Sequence, residues 1–250
     1  MTKPCVSKIA VLSVVSSMLF VIACSTAEKP QQASPARTQD YTAALANSER
    51  PDTERALDAA RKPAEVLAFY GVKTGDKVAD IWAARGYYTA ILSQVVGPQG
   101  VVYSANPNSR PEFSERWKKP MYANVRVVDG AFDKIALPQD GSLDFVLIHL
   151  NYHDVAPEVR IPMDKRILAA LKRGGIYGVV DHSAKEGTGN EAAKTLHRID
   201  KQLVIKEVTD SGFKLAKEGT MLRKPEDTRD FNVNKERDKD DRFVLAFQKP

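Results

Sequence analysis

The sequence predicts a single α/β domain built on a mostly parallel β-sheet. Strand-like apolar segments alternate with helix-like segments from about residue 63 to the end of the chain. Glycine or proline turns separate most of these segments. The length of 250 residues, 43% of them apolar, suits one mid-sized domain with appendages. With 14 glycines, 14 prolines and only two cysteines, collagen-like, disordered and disulfide-scaffold classes are excluded.

The charge balance gives little support to a nucleic-acid-binding surface. The chain carries 37 Lys and Arg residues against 32 Asp and Glu residues, a net charge of +5. Lys3 and Lys8 belong to an N-terminal stretch without acids, so the rest of the chain is nearer neutrality. We therefore expect no nucleic-acid partner.

The N-terminus predicts a secretory signal peptide over residues 1–23. Two lysines precede an uncharged apolar run at residues 9–22, which is too short to span a bilayer comfortably. The run ends in Val21-Ile22-Ala23-Cys24, which resembles the bacterial lipobox. This resemblance implies that Cys24 is lipid-modified and anchors the protein on the periplasmic side of a bacterial membrane. Ser25 favours the outer membrane by the same analogy. A cleaved soluble secretory peptide and a short anchor helix remain open.

Two further segments differ in composition from the domain. Residues 24–50 are rich in Gln, Ser, Thr, Ala and Pro, which predicts a flexible tether. Residues 51–250 then form the domain. Within it, residues 222–242 interleave acidic and basic side chains, which is typical of a solvated loop.

The first elements of the domain form a helix–strand–helix unit. Pro63 suits the first turn of a helix over residues 63–70, and Gly71 is placed to cap its end. Residues 77–82 read as a buried strand. Apolar residues then recur at helical spacing at Tyr88, Ile91, Leu92 and Val95. Gly97 and Pro98 end that helix.

The remaining strands complete a predicted sheet of seven. We place them at residues 101–103, 124–128, 143–148, 176–180, 214–217 and 243–247. A helix through Met163 and Ile167 ends at Gly174-Gly175, and residues 198–211 form another. In such sheets the ligand crevice lies at the carboxyl ends of the strands. We therefore expect the site at residues 80–88, 104–108, 129–132 and 149–154.

The segments at these strand ends carry recognisable motifs. They are Val78-Ala-Asp80-Ile-Trp82-Ala83-Ala84-Arg85-Gly86, Val101-Val-Tyr-Ser-Ala-Asn106, Asp129-Gly130-Ala131 and Leu143-Asp-Phe-Val-Leu-Ile-His-Leu-Asn151-Tyr-His153. In order and spacing they resemble the class I S-adenosylmethionine-dependent methyltransferases, over roughly residues 52–250. The similarity is closest to a group of predicted bacterial methyltransferases whose first loop also carries a tryptophan. It implies a Rossmann-like fold, a seven-stranded mostly parallel sheet with helices on both faces, and S-adenosylmethionine as cofactor.

The resemblance assigns the first loop to the cofactor. A strand-to-helix turn brings backbone close to a ligand and points helix N–H groups at its negative end. The loop residues so implicated are Asp80, Trp82, Ala83, Ala84 and Gly86. The family loop has three glycines, whereas this one keeps only the third, so we expect the role of the first glycine to be lost at Trp82. A purely structural loop is the alternative.

The next two strand ends would complete the cofactor site. Asn106 stands where the family has an acid that binds the ribose hydroxyls, and an amide offers one acceptor fewer. The resemblance places Asp129 at the adenine amino group, with the backbone of Gly130 and Ala131 alongside. Plain turns at Asn106 and at Asp129-Gly130 remain the alternatives.

The fourth strand end would face the methyl acceptor. Asn151 is a further candidate for cofactor binding, and His153 is the candidate general base, oriented by Asp154 or Asp181. A structural histidine is equally compatible with the sequence. The spacing of His149 and His153 allows a metal site with Asp181-His182, but these residues do not share a helical face, so no metal is predicted.

Three functions fit these features. The first is an exported methyltransferase, anchored at the membrane, that acts on a small molecule, lipid or envelope component with S-adenosylmethionine. The second is a methyltransferase-like binding module that no longer methylates, because the glycine loop and the ribose acid are altered and export separates the domain from the source of the cofactor. The third is a structural lipoprotein tether. The order of the motifs favours the first.

Overall fold

The computed structural model describes residues 1–2, 39–108 and 110–250. Residues 3–23 of the predicted signal peptide, Cys24 and the tether up to residue 38 lie outside these ranges. No helix within them is both long and apolar enough to cross a membrane.

The described residues of the domain form one seven-stranded sheet. Its strands are β1 (Lys77–Ile81), β2 (Val101–Ala105), β3 (Val125–Val127), β4 (Leu143–His149), β5 (Leu171–His182), β6 (Lys214–Gly219) and β7 (Arg242–Gln248). Their order across the sheet is β3-β2-β1-β4-β5-β7-β6. Strands β1 to β5 run parallel, and β7 runs antiparallel to both of its neighbours. The predicted mostly parallel α/β sheet is confirmed.

Helices cover both faces of the sheet. They are α1 (Thr42–Leu45), α2 (Asp52–Arg55), α3 (Asp58–Arg61), α4 (Pro63–Tyr70), α5 (Tyr87–Val96), α6 (Pro111–Ser114), α7 (Pro157–Ala170), α8 (Ala193–Leu196) and α9 (Lys201–Asp210). Short 3-10 helices span Glu115–Lys118, Pro120–Tyr122 and Tyr152–Asp154. Pro63 opens α4 and Gly71 caps it, as the sequence predicts.

Side chains along the central strands point alternately to the two faces of the sheet, so the core has two layers. In β1, Val78 packs with α4 and α5, whereas its neighbour Ala79 packs with α7 and α9. Both residues are fully buried. Side chains of a strand point alternately to its two faces, so a strand covered on both sides is apolar throughout. This explains why most residues of β1 and β4 are apolar.

The register of β1 determines where the strand ends meet. Ile81 pairs with Ala105 of β2 on one side and with Ile148 of β4 on the other. The three strands therefore end side by side, and the loops that follow them share one edge of the sheet. This edge carries the residues that the sequence assigns to the site.

Two predicted boundaries are wrong. The tether was expected to reach residue 50, but Tyr41 and Ala44 are buried in the core, and the Tyr41 hydroxyl donates to the carbonyl of Val72 at 2.7 Å. Arg50 is also buried and pairs with Asp58 at 2.6 Å. Scattered apolar side chains and one buried arginine are enough to dock this polar stretch onto the domain.

Helix α7 ends earlier than predicted. It stops at Ala170, because Leu171 already pairs with Leu143 of β4. Gly174 and Gly175 lie inside β5 and not at a helix end. A Cβ on Gly175 would approach the Leu143 carbonyl oxygen to 3.2 Å, so glycine serves close strand packing here.

Candidate active site

The loop between β1 and α5 places three alternate residues in the left-handed backbone region. The φ angles are 57° at Trp82, 50° at Ala84 and 86° at Gly86. Glycine adopts this region freely, whereas a residue with a Cβ loses about 1 kcal/mol or more there. The sequence predicts that the role of the first glycine is lost at Trp82. For the backbone conformation this prediction is wrong, because Trp82 adopts the left-handed region. The glycine-like shape of the loop persists at all three positions.

Side chains from the next two strand ends hold this loop. The Oδ1 atom of Asn106 accepts a hydrogen bond from the backbone N–H of Ala84 at 2.7 Å. The backbone N–H of Asn106 donates to Oδ1 of Asp129 at 2.8 Å, and that of Gly130 donates to the Asn106 carbonyl at 2.8 Å. The acceptor oxygen that the sequence assigned to a ribose is therefore used within the protein. Asn106 and Asp129 brace the loop.

Gly86 is required by a close approach as well as by its φ angle. A Cβ at this position would lie 2.2 Å from Cζ2 of Trp117. Trp117 is buried against Tyr122, with ring centroids 5.1 Å apart, and has little freedom to move. Gly86 therefore fixes the start of α5 against the Glu115–Lys118 segment.

A cavity of about 1010 Å³ opens at the ends of β1 and β4. Its inner wall includes Asp80, Trp82, Ala83, Ala84, Tyr88, His149, Leu150 and Asn151. Its outer walls come from residues 51–61, residues 112–116 and the charged segment, residues 222–242. Of the predicted cofactor residues, Asp80, Trp82, Ala83, Ala84 and Asn151 line this cavity. The other five predicted residues, Gly86, Asn106, Asp129, Gly130 and Ala131, are not among its described lining residues.

The floor of the cavity is polar but buried. Oδ2 of Asp80 accepts a hydrogen bond from the Thr89 hydroxyl at 2.6 Å. Burial raises the pKa of Asp80 to about 7, against the opposing effect of that hydrogen bond. Asp80 therefore exchanges its proton near neutrality.

Two neighbouring polar atoms on this floor lack a partner. The Tyr88 hydroxyl and Nε2 of His149 are buried without a hydrogen-bond partner among the described residues. Their rings lie 4.6 Å apart. Burial, followed by the charges of Arg61 and Arg242, holds the pKa of His149 well below its usual value. The neutral imidazole and the hydroxyl therefore have unused hydrogen-bonding capacity next to the cavity.

Arginines form part of the outer wall. Arg242 donates from Nε to Asp240 at 2.7 Å and is thereby neutralised. Arg61 lies over the Tyr87 ring at 4.5 Å and forms no ion pair with a described residue. Burial lowers the pKa of Arg61, but a guanidinium remains charged. The sequence does not indicate that Arg61 or Arg242 lines a site. Both belong to segments that reach the β1–α5 loop only in the folded chain.

His153, the predicted general base, does not line the cavity. It is 5% exposed, and its Nδ1 lies 2.8 Å from Oδ1 of Asp181. His153 contacts Asp181, as predicted, but neither residue is among the described residues that line the cavity. His149 and His182 line the cavity instead. A histidine in a 3-10 turn after a strand can point to either side, and the sequence does not distinguish them.

The charged segment is a loop, as its composition predicts, but it is only partly solvated. Asp227 and Arg198 form an ion pair at 2.7 Å in which both side chains are fully buried. Val233, Asn234, Arg237, Asp238 and Asp240 line the cavity. Some acids and bases of this segment therefore pair with partners inside the domain and shape the outer wall, whereas others, such as Lys235 and Glu236, are exposed.

Two known methyltransferases are similar to part of the chain. The chain is 28% identical over 144 residues to a protein-L-isoaspartate O-methyltransferase of Ignicoccus hospitalis, covering 57% of this chain and 63% of the relative. It is 31% identical over 119 residues to a demethylmenaquinone methyltransferase of Staphylococcus aureus, covering 47% and 48%. The chain thus spans about half to just under two thirds of the length of these relatives. No protein-family model matches it.

Solved structures share the fold. A S-adenosylmethionine-dependent methyltransferase from Aquifex aeolicus superposes with a TM-score of 0.57, at 20% identity, over 80% of this chain and 99% of the other. At this identity the likeness concerns the fold alone. Taken with the sheet order, it shows the fold of the class I S-adenosylmethionine-dependent methyltransferases, and the distant sequence relatives are methyltransferases as well.

Proposed function

We propose that this protein is an S-adenosylmethionine-dependent methyltransferase whose cofactor binds at the β1 end of the cavity. The observation that carries the proposal is the left-handed conformation of Trp82, Ala84 and Gly86. Two of these residues adopt it at an energetic cost, and such strain is found where a functional site demands a particular backbone shape. The superfamily relationship supplies the identity of the ligand.

The residues present fit this cofactor at its amino-acid end. The loop leads directly into α5, whose first backbone N–H groups and positive helix end favour a carboxylate. Asp80, on the cavity floor, offers a carboxyl group to the ligand's ammonium group. Asn151 lines the same wall. The fit is poorer at the ribose, because Oδ1 of Asn106 already accepts from Ala84.

The acceptor would enter from the side of the outer walls. The bound cofactor supplies an electrophilic methyl group on a sulfonium centre, so positioning of the acceptor is the main task of the protein. The unpaired Nε2 of His149 and hydroxyl of Tyr88 are available to hold its polar group. Arg61 adds a positive charge to the wall, which favours an acceptor with an acidic group.

We also propose that the enzyme works at the cell envelope, on a small molecule, a lipid or an envelope component. The support is the N-terminal pattern, in which a short uncharged run ends at Cys24. The protein would be lipid-anchored on the periplasmic side, with the outer membrane favoured by Ser25.

A second function, a methyltransferase-like binding module without activity, is favoured by one observation. The bond from Ala84 to Asn106 occupies the side-chain oxygen on which ribose binding would depend. Such a module would keep the cavity and bind a different small molecule.

Tryptophan fluorescence tests the proposal, because the chain has only two tryptophans. Trp82 lines the cavity and contacts Phe132, with ring centroids 5.2 Å apart, whereas Trp117 lies behind Gly86. We expect a saturable fluorescence change on addition of S-adenosylhomocysteine, retained in Trp117→Phe and lost in Trp82→Phe. Adenosine serves as the control ligand without the amino-acid end. No change with S-adenosylhomocysteine or S-adenosylmethionine at millimolar concentration would favour the binding module.

A further inference from the structure

We infer that His153, Asp154 and His197 form a binding site for one divalent transition-metal ion of the zinc class. His153 and Asp154 lie in the 3-10 helix after β4, and His197 follows α8 directly. One ligand atom from each residue can be chosen so that all three lie within 4.8 Å of one another. The site is separate from the cavity wall, and it does not depend on the proposed methyltransferase function.

Two of the three distances between ligand atoms suit tetrahedral coordination. Nε2 of His153 lies 3.3 Å from Oδ1 of Asp154, and Nδ1 of His197 lies 3.5 Å from the same oxygen. Zinc binds imidazole nitrogen and carboxylate oxygen at about 2.0 to 2.2 Å, which separates tetrahedral ligands by about 3.3 to 3.5 Å. The two histidine rings lie at 5.5 Å between centroids, so an ion has room between them.

The second observation is the state of His153. Its Nε2 is buried and forms no hydrogen bond with a described residue, although Oδ1 of Asp154 lies 3.3 Å away. Nδ1 lies 2.8 Å from Oδ1 of Asp181, and the other Asp181 oxygen accepts from the backbone N–H of His153 at 2.8 Å. This arrangement keeps the proton on Nδ1 and leaves the Nε2 lone pair free. A carboxylate that holds a histidine in this way is the usual partner of a metal ligand.

The third ligand is held in an unusual conformation. His197 has a φ of 55°, which costs energy in a residue with a Cβ. Its side chain is 31% exposed and that of Asp154 is 34% exposed, whereas that of His153 is 2% exposed. Solvent therefore reaches the cluster from one side, which provides an entry path and a fourth coordination position for water.

The donor set indicates the kind of ion. Two imidazole nitrogens and one carboxylate oxygen suit zinc and its transition-metal neighbours. Calcium and magnesium prefer sets made only of oxygens and in larger number.

A bound ion would join two connections of the fold. His153 and Asp154 belong to the connection from β4 to α7, which also carries Leu150 and Asn151 on the cavity wall. His197 belongs to the connection from β5 to α9. His153 also contacts His182 of the wall edge-on, with centroids 5.6 Å apart. The ion would therefore stiffen the part of the wall that follows β4.

The test uses the full chain, stripped with a chelator and dialysed. Zn²⁺ is titrated in competition with a chromophoric chelator, and Co²⁺ binding is followed by its visible absorption. We expect one equivalent of each ion to bind, with a Co²⁺ spectrum of tetrahedral type. His197→Ala and Asp154→Asn should each weaken Zn²⁺ binding at least tenfold. Glu158→Gln, which removes an exposed carboxylate outside the cluster, is the matched control and should bind as the unaltered chain does.

Thermal unfolding provides a second readout that does not depend on metal analysis. Zn²⁺ should raise the melting temperature of the stripped chain and of Glu158→Gln, but not that of His197→Ala. His197 is partly exposed, so its variant should fold, and circular dichroism checks this. Absence of stoichiometric binding at micromolar Zn²⁺ and Co²⁺ would overturn the inference. Equal binding by the chain and by both ligand variants would also overturn it, since the ion would then lie elsewhere.

Discussion

The side-chain oxygen of Asn106 accepts a hydrogen bond from the backbone N–H of Ala84 at 2.7 Å. This contact joins the end of β2 to the middle of the loop that follows β1. It satisfies a backbone donor in a strained turn, and it occupies the oxygen that would otherwise face a ribose. One amide thus contributes to the stability of the loop and limits its use for binding.

Substitution of Asn106 separates these two effects. Asn106→Ala leaves the N–H of Ala84 without its partner, so we expect a loss of about 1 to 2 kcal/mol in unfolding free energy. We also expect weaker binding of S-adenosylhomocysteine, because the loop loses its brace. Asn106→Asp keeps an acceptor for Ala84 and adds a second one, so it should bind the ligand more tightly than Asn106→Ala. Equal affinity of these two variants in calorimetric titration would contradict the role given to this side chain.

The left-handed positions of the loop predict opposite effects of two glycine–alanine exchanges. Gly86→Ala places a Cβ against Trp117 and should cost about 1 to 3 kcal/mol in unfolding free energy. Ala84→Gly removes the strain at φ 50° and should be neutral or stabilising by up to about 1 kcal/mol. Chemical denaturation of both variants beside the unaltered chain measures the difference. A loss of stability in Ala84→Gly as large as in Gly86→Ala would show that the loop conformation is not strained.

Because the pKa of Asp80 is raised, we expect the free energy of unfolding to fall as the pH rises. Burial raises the pKa of Asp80 to about 7 in the folded chain, whereas an unfolded aspartate titrates near 4. The folded state therefore binds this proton more tightly, and the stabilisation it gives is lost as the pH rises through about 4 to 7. Between pH 5 and 8 the loss is about 2 to 3 kcal/mol. We would measure denaturation curves at these two pH values for the unaltered chain and for Asp80→Asn. The difference between the two proteins gives the contribution of Asp80 to the unfolding free energy.

In the Asp80→Asn variant the dependence on pH should be smaller by this amount. Other buried groups, such as Asp164, titrate in both proteins and cancel from the comparison. An identical pH dependence in the two proteins would mean that Asp80 titrates normally when folded.

Arg50 tests the corrected boundary of the domain. Its side chain is fully buried and forms two hydrogen bonds to Asp58, at 2.6 and 2.8 Å. Asp58 also accepts from the Tyr87 hydroxyl at 2.6 Å, so the pair connects this segment to α5. Arg50→Ala should cost about 2 to 3 kcal/mol in unfolding free energy.

Lys119→Ala is the matched control for Arg50→Ala. It removes a cation that pairs with Glu49 of the same segment, but both of these side chains are about half exposed. We expect a change below about 1 kcal/mol. If Arg50→Ala were equally mild, residues 39–50 would not be an integral part of the domain.

The sheet could be predicted from the sequence because two features indicate its strands, namely their apolar residues and the turn residues that bound them. Segments such as residues 77–82 and 143–148 are mostly apolar, and polar turn residues bound them. The burial of β1 on both faces is the physical cause of that pattern. The motif order added the expected edge of the sheet, and the cavity opens there.

The details that depend on distant contacts could not be predicted. The burial of Arg50 requires Asp58 and Tyr87, and that of Arg198 requires Asp227, with no local signal in either case. The buried charges of the charged segment could not be distinguished from its exposed ones, because a sequence shows charges but not their partners. His197 lies far along the chain from His153, so the spacing of residues could not reveal that they meet.

The central claim is that S-adenosylmethionine binds at the β1 end of the cavity. Isothermal titration of S-adenosylhomocysteine into the full chain tests it most directly, with Asp80→Asn as the site variant and the exposed Glu158→Gln as the control. We predict micromolar binding at one site, at least tenfold weaker in Asp80→Asn and unchanged in the control. Absence of binding at millimolar ligand, or equal binding by Asp80→Asn, would contradict the claim.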